Sequence, residues 1–164
     1  VKENHRNVLL AELDDDQLDI VFTDNKESLL PGMAAHRVGI NRSYVVAHKK
    51  YSKLKKEFPE CLERIPYFSY SSESYLKYEI DLFFKRIGVT PKIVGEGDDL
   101  DLFQAVTESG KAFSIVPEVA KNKFLMNKDI VVLGEIKDLQ TSVWAILKRG
   151  YRGEGFHLVK EMKK

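Results

Sequence analysis

Cysteine pairs, long apolar segments and an excess of one charge are all missing from this sequence. Cys61 is the single cysteine among 164 residues, so no disulfide can form within the chain, and a reducing compartment such as the cytoplasm is expected. No apolar stretch approaches the roughly 20 residues of a membrane-spanning helix, so we expect no membrane contact. Lys and Arg number 26 against 25 Asp and Glu, which argues against nucleic-acid binding by this chain alone.

Sequence motifs of nucleotide binding, metal binding and covalent catalysis are absent as well. The pair Gly95-x-Gly97 lacks the third glycine of a dinucleotide fingerprint, because Leu100 stands in its place. Neither 14–19 nor 96–101 has the ligand spacing of an EF-hand loop, and the four histidines form no zinc motif. No serine elbow or nucleophile with its base is present. The sequence therefore predicts a protein that is not an enzyme and needs no cofactor.

The first part of the chain predicts one helix and several short strands. Residues 4–14 have apolar residues at helical spacing with Asn4 as the N-cap, and 18–23 predict a buried strand. β-branched and aromatic residues over 36–50 predict two short strands with a break at Asn41-Arg42. Residues 50–66 predict a short helix and a connector, which is the preferred boundary between domains.

A β-α-β-α-β unit follows this connector. The strand "PYFSY" leads into a helix that "SSES" opens and Gly88 ends, and "KIVGE" leads into a helix over 100–109. The strand "AFSIV" ends at Pro117, which begins a helix to about Leu125. "IVVLGEI", "SVWAILK" and a helix from about Gly153 complete the chain. The alternation predicts a mostly parallel sheet with helices on both faces.

Polar residues and helix starts lie directly after the predicted strands. Asp98 and Asp99 precede the helix over 100–109, where carboxylates cap free backbone N–H groups. In an alternating α/β sheet, such turns line the crevice in which ligands bind, so five strand ends are candidates for one cleft. The candidate ligand-binding residues are Glu3, Asn4, Thr23, Asp24, Ser71, Ser72, Glu73, Asp98, Asp99, Val116 and Pro117.

Two ligand chemistries stay open for this set. The serines that open the helix after "PYFSY" suit a small carboxylate, because helix N–H groups and the helix dipole favour an anion. The carboxylates of the set instead favour a cation if several of them face one cleft, since they repel anions and offer hard oxygen ligands. In that case Asp98 and Asp99 are the candidate sodium ligands, and no other metal ligand is predicted.

The order of these motifs resembles the effector-binding domain of LysR-type transcriptional regulators. The segments that carry the resemblance are "LDIVFTD", "IPYFSY", "SSES", "KIVGEGDD" and "AFSIVP", and they span essentially the whole chain. Within that family the chain most resembles the NhaR group, activators of sodium/proton antiporter genes, through "GEGDD", "AFSIVP" and "VVLGEIKD". Common family members carry Gly-Gly before the strand that is "AFSIV" here, whereas this chain has Gly110-Lys111, which is compatible with the NhaR group.

The resemblance implies an α/β fold of two Rossmann-like subdomains joined by two crossovers, like that of periplasmic binding proteins, with the effector between them. Subdomain I would comprise 1–64 plus 137–164, and subdomain II would comprise 65–136. The family's winged helix-turn-helix precedes this region and is absent from the chain, so promoter DNA would be reached only through that domain. The implied protein is a cytoplasmic, oligomeric regulator of transcription that responds to a small molecule or ion.

Two further expectations concern partners. The resemblance implies antiparallel pairing of two copies, and the helix over 4–14 beside the strand over 18–23 is a candidate surface for it. A solute-binding receptor of a transport system is the alternative function with the same fold. Such a receptor would carry an export signal or lipoprotein cysteine, so the residues upstream of Val1 would separate the two functions.

Overall fold

The computed structural model describes residues 1–72 and 74–162. These residues form two compact units. Unit 1 contains Val1–Asn41 and the segment that begins at Thr141, and unit 2 is Arg42–Gln140. The connector over 49–64 lies in unit 2. The subdomain boundaries after residues 64 and 136 stay a prediction. The chain passes from one unit to the other between residues 41 and 42 and between residues 140 and 141.

Helices and strands alternate along the described chain. The helices are α1 Arg6–Asp14, α2 Tyr75–Ile87, α3 Leu100–Glu108, α4 Glu118–Leu125 and α5 Glu154–Met162. The strands are β1 Val21–Thr23, β2 Met33–His48, β3 Tyr67–Ser69, β4 Ile93–Glu96, β5 Ser114–Pro117 and β6 Ile130–Lys148. The predicted connector forms two 3₁₀ helices, Lys49–Glu57 and Glu60–Arg64. Within the described residues, every helix is too short or too polar to span a lipid bilayer.

In unit 1, α1 packs against the strand pair β1 and β6. β1 runs antiparallel to β6, with Val21 opposite Ile146. The spacing of Leu10 and Leu13 turns one face of α1 into this core, together with Val21, Met33 and Ile146. The predicted N-cap is wrong: α1 begins at Arg6 with His5 as N-cap, because the Asn4 side chain accepts instead from the adjacent His5 N–H.

Unit 2 contains the predicted β-α-β-α-β segment. β3 and β4 pair in parallel, with Ser69 opposite Glu96, and Tyr67 forms a parallel bridge to Phe113 just before β5. β5 instead pairs antiparallel with β2, with Val116 opposite Tyr44. The expectation of a mostly parallel sheet is therefore wrong, because β1 and β5 pair antiparallel with the long strands β6 and β2.

The two long strands were each predicted as two short ones. β2 runs without interruption through the expected break at Asn41-Arg42, and β6 runs from Ile130 to Lys148. The strand order β1-β6-β2-β5 gives both long strands neighbours on each side. Pairing with neighbours therefore outweighs the weak strand propensity of these polar residues. The division between the units falls inside β2, at the predicted break.

The ends of α2 follow the sequence prediction. Ser74 is the N-cap, and Gly88 ends the helix in the left-handed conformation at φ 68°. That conformation favours glycine because a side chain would clash with the backbone. The Gly88 N–H bonds to the carbonyl of Lys85 and the Val89 N–H to that of Phe84. The stop signal in the sequence is confirmed.

Candidate functional site

Ser71 and Asp98 lie together at the carboxyl ends of β3 and β4. The Ser71 hydroxyl donates to Asp98 Oδ2 at 2.5 Å, and the Ser71 backbone N–H donates to Oδ1 at 3.3 Å. The parallel register produces this contact, because each residue lies two positions beyond the paired Ser69 and Glu96. The Gly97 N–H also donates to the Ser69 carbonyl at 3.0 Å. The prediction that Asp98 caps α3 is wrong, since its carboxylate is bound by the neighbouring turn.

Asp99 is the N-cap of α3, as the sequence predicts. Its Oδ1 accepts from the Asp101 N–H at 2.7 Å and from the Leu102 N–H at 3.1 Å. These are two of the N–H groups that a helix start leaves without an intrahelical partner. The adjacent carboxylates of Asp98 and Asp99 therefore bind donors of two different turns, although both side chains are exposed.

The end of β5 carries a group of charged residues that the sequence analysis missed. Val116 is fully buried in the core of unit 2, backbone included, whereas Pro117 is partly exposed and is the N-cap of α4. Beside it, the Tyr44 hydroxyl donates to Glu118 at 3.4 Å. The Lys121 ammonium lies 3.9 Å from the centre of the Tyr44 ring and 3.7 Å from Glu118.

Part of this group could have been found from the sequence. Glu118 follows Pro117 directly, and Lys121 lies three positions later on the same helix face. Tyr44 and Arg42 come from β2, more than seventy residues earlier, and no local pattern connects them to this turn. Arg42 lies 3.8 Å from Glu135, so this arginine also faces a carboxylate.

Tyr70 links the end of β3 to β5 from inside the core. Its hydroxyl donates to the Ile115 carbonyl at 3.1 Å, and its ring lies 4.6 Å from that of Phe103. Burial, assisted by the negative charge of Asp98, raises the pKa of Tyr70 far above its ordinary value. The hydroxyl therefore stays protonated and keeps donating to the Ile115 carbonyl, which holds the residue next to Ser71 in place.

The candidate residues of unit 1 form a smaller and more exposed set. The Thr23 hydroxyl donates to Asp24 at 3.5 Å and accepts from the Asn25 N–H at 3.2 Å, so the turn after β1 is closed by its own side chains. Glu3 and Asn4 are exposed before α1. Among the unit 1 candidates, the structure brings Thr23 and Asp24 together by a hydrogen bond.

The remaining predictions concern the turn before α2 and a metal. Ser72 is exposed, and Glu73 lies outside the described residues. Across residues 1–72 and 74–162, no three His, Cys, Asp or Glu side chains are placed to hold a metal ion. This finding does not test sodium binding by Asp98 and Asp99, because that site would contain two carboxylates and not three. Sodium binding there stays a prediction.

Comparison with known families identifies the fold and its family. The LysR substrate binding domain matches residues 1–159. The chain belongs to this family. The matched residues include parts of both compact units.

Two curated relatives match the chain by sequence. The transcriptional activator protein NhaR of Escherichia coli strain K12 is 24% identical over 144 residues, which are 88% of this chain and 48% of that protein. NhaR of Shigella flexneri matches with the same values. The chain therefore spans about half the length of the curated relatives it matches.

Solved LysR structures share the fold. CbnR, a LysR family transcriptional regulator, superposes with a TM-score of 0.73 at 18% identity, over 98% of this chain and 56% of CbnR. The BenM effector binding domain with its effector benzoate gives 0.74 at 15% identity, over 99% of this chain and 75% of that one. The α/β fold of LysR effector-binding domains, like that of periplasmic binding proteins, is thus established for this chain.

Proposed function

We propose that this chain is the effector-sensing domain of a LysR-type, NhaR-like regulator that controls transcription in response to a small ligand or sodium. The observation that carries the proposal is the LysR substrate binding domain match over 1–159. The likeness to NhaR, a transcriptional activator, supports the direction of control. Promoter DNA would be bound by a part of the protein outside residues 1–164, and no reaction is assigned to the chain.

The effector would bind at the strand ends in this proposal. In unit 2, Ser71 and Asp98 lie in the turns that follow β3 and β4, and Pro117 is the last residue of β5, directly before α4. These positions support the proposal because α/β sheets commonly bind ligands at the carboxyl ends of their strands. The effector would act by binding one conformation of the regulator more tightly than another, since equal affinity for both shifts no equilibrium.

Self-association is the second part of the proposal. In unit 1, Phe22 of β1 is exposed and lines a cavity of about 530 Å³, and Val8 of α1 is also exposed. In unit 2, the exposed apolar side chains of Tyr78, Leu82 and Ile93 line a cavity of about 640 Å³ between α2 and β4. β1 and β4 each end the strand order of their sheet, and such edges can pair with a second chain.

The test separates DNA binding from self-association. Fluorescence anisotropy with promoter fragments should show binding by the full-length protein and none by residues 1–164, because positive and negative charges balance in this chain. Sedimentation equilibrium of 1–164 should show dimers, and Phe22→Glu should weaken them at least tenfold. Leu30→Glu, also exposed in unit 1, is the matched control. Sequence-selective DNA binding by 1–164, or monomers at every concentration, would contradict the respective part.

Sodium coordination has a separate test. If Asp98 and Asp99 hold Na⁺ directly, the melting temperature is higher in NaCl than in KCl at equal ionic strength. Asp98→Asn and Asp99→Asn should each remove that difference, because an amide contributes no charge to the ion. Equal melting temperatures in both salts, or an unchanged difference in both variants, would remove these carboxylates from a sodium site and leave an organic effector.

A further inference from the structure

Asp98 gives the Ser71 turn a carboxylate from within the chain. One oxygen accepts from the Ser71 hydroxyl at 2.5 Å and the other from the Ser71 backbone N–H at 3.3 Å. A hydroxyl and a backbone N–H ahead of a helix are the donors that bind the carboxylate or phosphate of a ligand. Here both donors point at the chain's own carboxylate, and the parallel pairing of β3 with β4 holds that carboxylate in place.

We propose that Asp98 determines the charge class of the effector: it occupies the Ser71 donors and excludes anionic ligands from this turn. The inference rests on the proposed effector site and specifies which ligands that site accepts. An external carboxylate would have to displace a side chain that the fold already positions, which gives the internal group a large entropic advantage. It would also lie beside an uncompensated negative charge if Asp98 stayed in place.

The cations near the other strand ends are engaged in the same way. Lys121 lies over the Tyr44 ring and near Glu118, and Lys123 of α4 pairs with Asp101 of α3. These ammonium groups are therefore already balanced by carboxylates of unit 2. The part of the effector that meets the Ser71 turn is accordingly neutral or cationic, such as a hydroxyl, amide or amine, which a carboxylate oxygen can accept from.

Chemical rescue tests this inference on residues 1–164. Asp98→Ala removes the internal carboxylate and leaves the Ser71 donors facing a space that formate or acetate can fill. We expect potassium formate to raise the melting temperature of Asp98→Ala above its value in potassium chloride at equal ionic strength. In ¹H–¹⁵N spectra, the Ser71 amide resonance should shift saturably in the variant. In the parent, the half-saturating formate concentration should be at least tenfold higher.

The control is the double variant Ser71→Ala, Asp98→Ala, which keeps the backbone N–H but lacks the hydroxyl donor. It should lose most of the formate response. Formate binding at the Ser71 amide of the parent that is as tight as in Asp98→Ala would overturn the inference. A folded Asp98→Ala that shows no formate response would also overturn it. The melting temperature and the Ser71 amide shift both report formate binding to this chain, so their outcome is independent of the promoter test.

Discussion

Replacing Phe113 by alanine should lower the free energy of unfolding by about 3–5 kcal/mol, the usual cost of truncating a fully buried aromatic side chain. Phe113 has no exposed surface, and its ring stacks on Tyr67 with centroids 4.8 Å apart. Its backbone also joins β3 to the start of β5, through bonds from the Phe113 N–H to Pro66 and from the Phe68 N–H to Phe113. The cavity left by the ring would therefore open at the junction of these two segments.

Urea unfolding followed by far-ultraviolet circular dichroism measures this loss. The single tryptophan, Trp144, lies in unit 1, so its fluorescence reports separately on the unit that does not contain Phe113. Val119→Ala is the matched control, because Val119 of α4 is 77% exposed and its truncation should change stability by less than about 0.5 kcal/mol. A Phe113→Ala protein within 1 kcal/mol of the parent would contradict the packing described here.

Gly95→Ala should destabilise the chain by about 1–3 kcal/mol, the usual cost of forcing extra volume into a packed core. A Cβ atom at Gly95 would lie 2.7 Å from Cε2 of Phe68. That ring cannot move away freely, because it is 7% exposed and meets Phe103 edge-on with centroids 5.0 Å apart. The first glycine of "GEGDD" thus makes room for an aromatic ring, which explains its presence without a bound phosphate.

A double-mutant cycle distinguishes this clash from a general loss of strand stability. Gly39→Ala is the control, since its Cβ would meet its nearest neighbour, Val143 Cβ, at an ordinary 3.9 Å. Combining Gly95→Ala with Phe68→Leu should cost less than the sum of the two single changes, because the smaller side chain relieves the overlap. Additive losses in urea unfolding, or a Gly39→Ala protein as unstable as Gly95→Ala, would rule out the clash.

The sequence predicted helix ends better than strand continuity, and the reason is the range of the interactions. Gly88 and Asp99 act on N–H and carbonyl groups within a few residues, so their patterns identify the end of α2 and the start of α3. The continuity of β2 depends on pairing with strands far away in sequence. In the sequence alone, the polar pair Asn41-Arg42 predicts a break in the strand. A local pattern contains no information about such a neighbour.

The candidate site divides in the same way. Its turns were found from the alternation of strands and helices, and Asp99 caps α3 as expected. The bond from Ser71 to Asp98 joins residues twenty-seven positions apart, and it depends on the register of β3 against β4. The group at Glu118 and Lys121 needs Tyr44 from β2. Only a structure brings these residues together, so the sequence left the ligand's charge open.

The discontinuity of unit 1 sets an order of events during synthesis on the ribosome. Unit 2 is one uninterrupted segment, Arg42–Gln140, so all of its core residues have been made before the second segment of unit 1 appears. β1 must wait for its partner, because Val21 pairs with Ile146. The nascent chain thus carries β1 without its partner strand, and the core around α1 without Ile146, while unit 2 folds. The amino-terminal segment, although made first, completes its unit last.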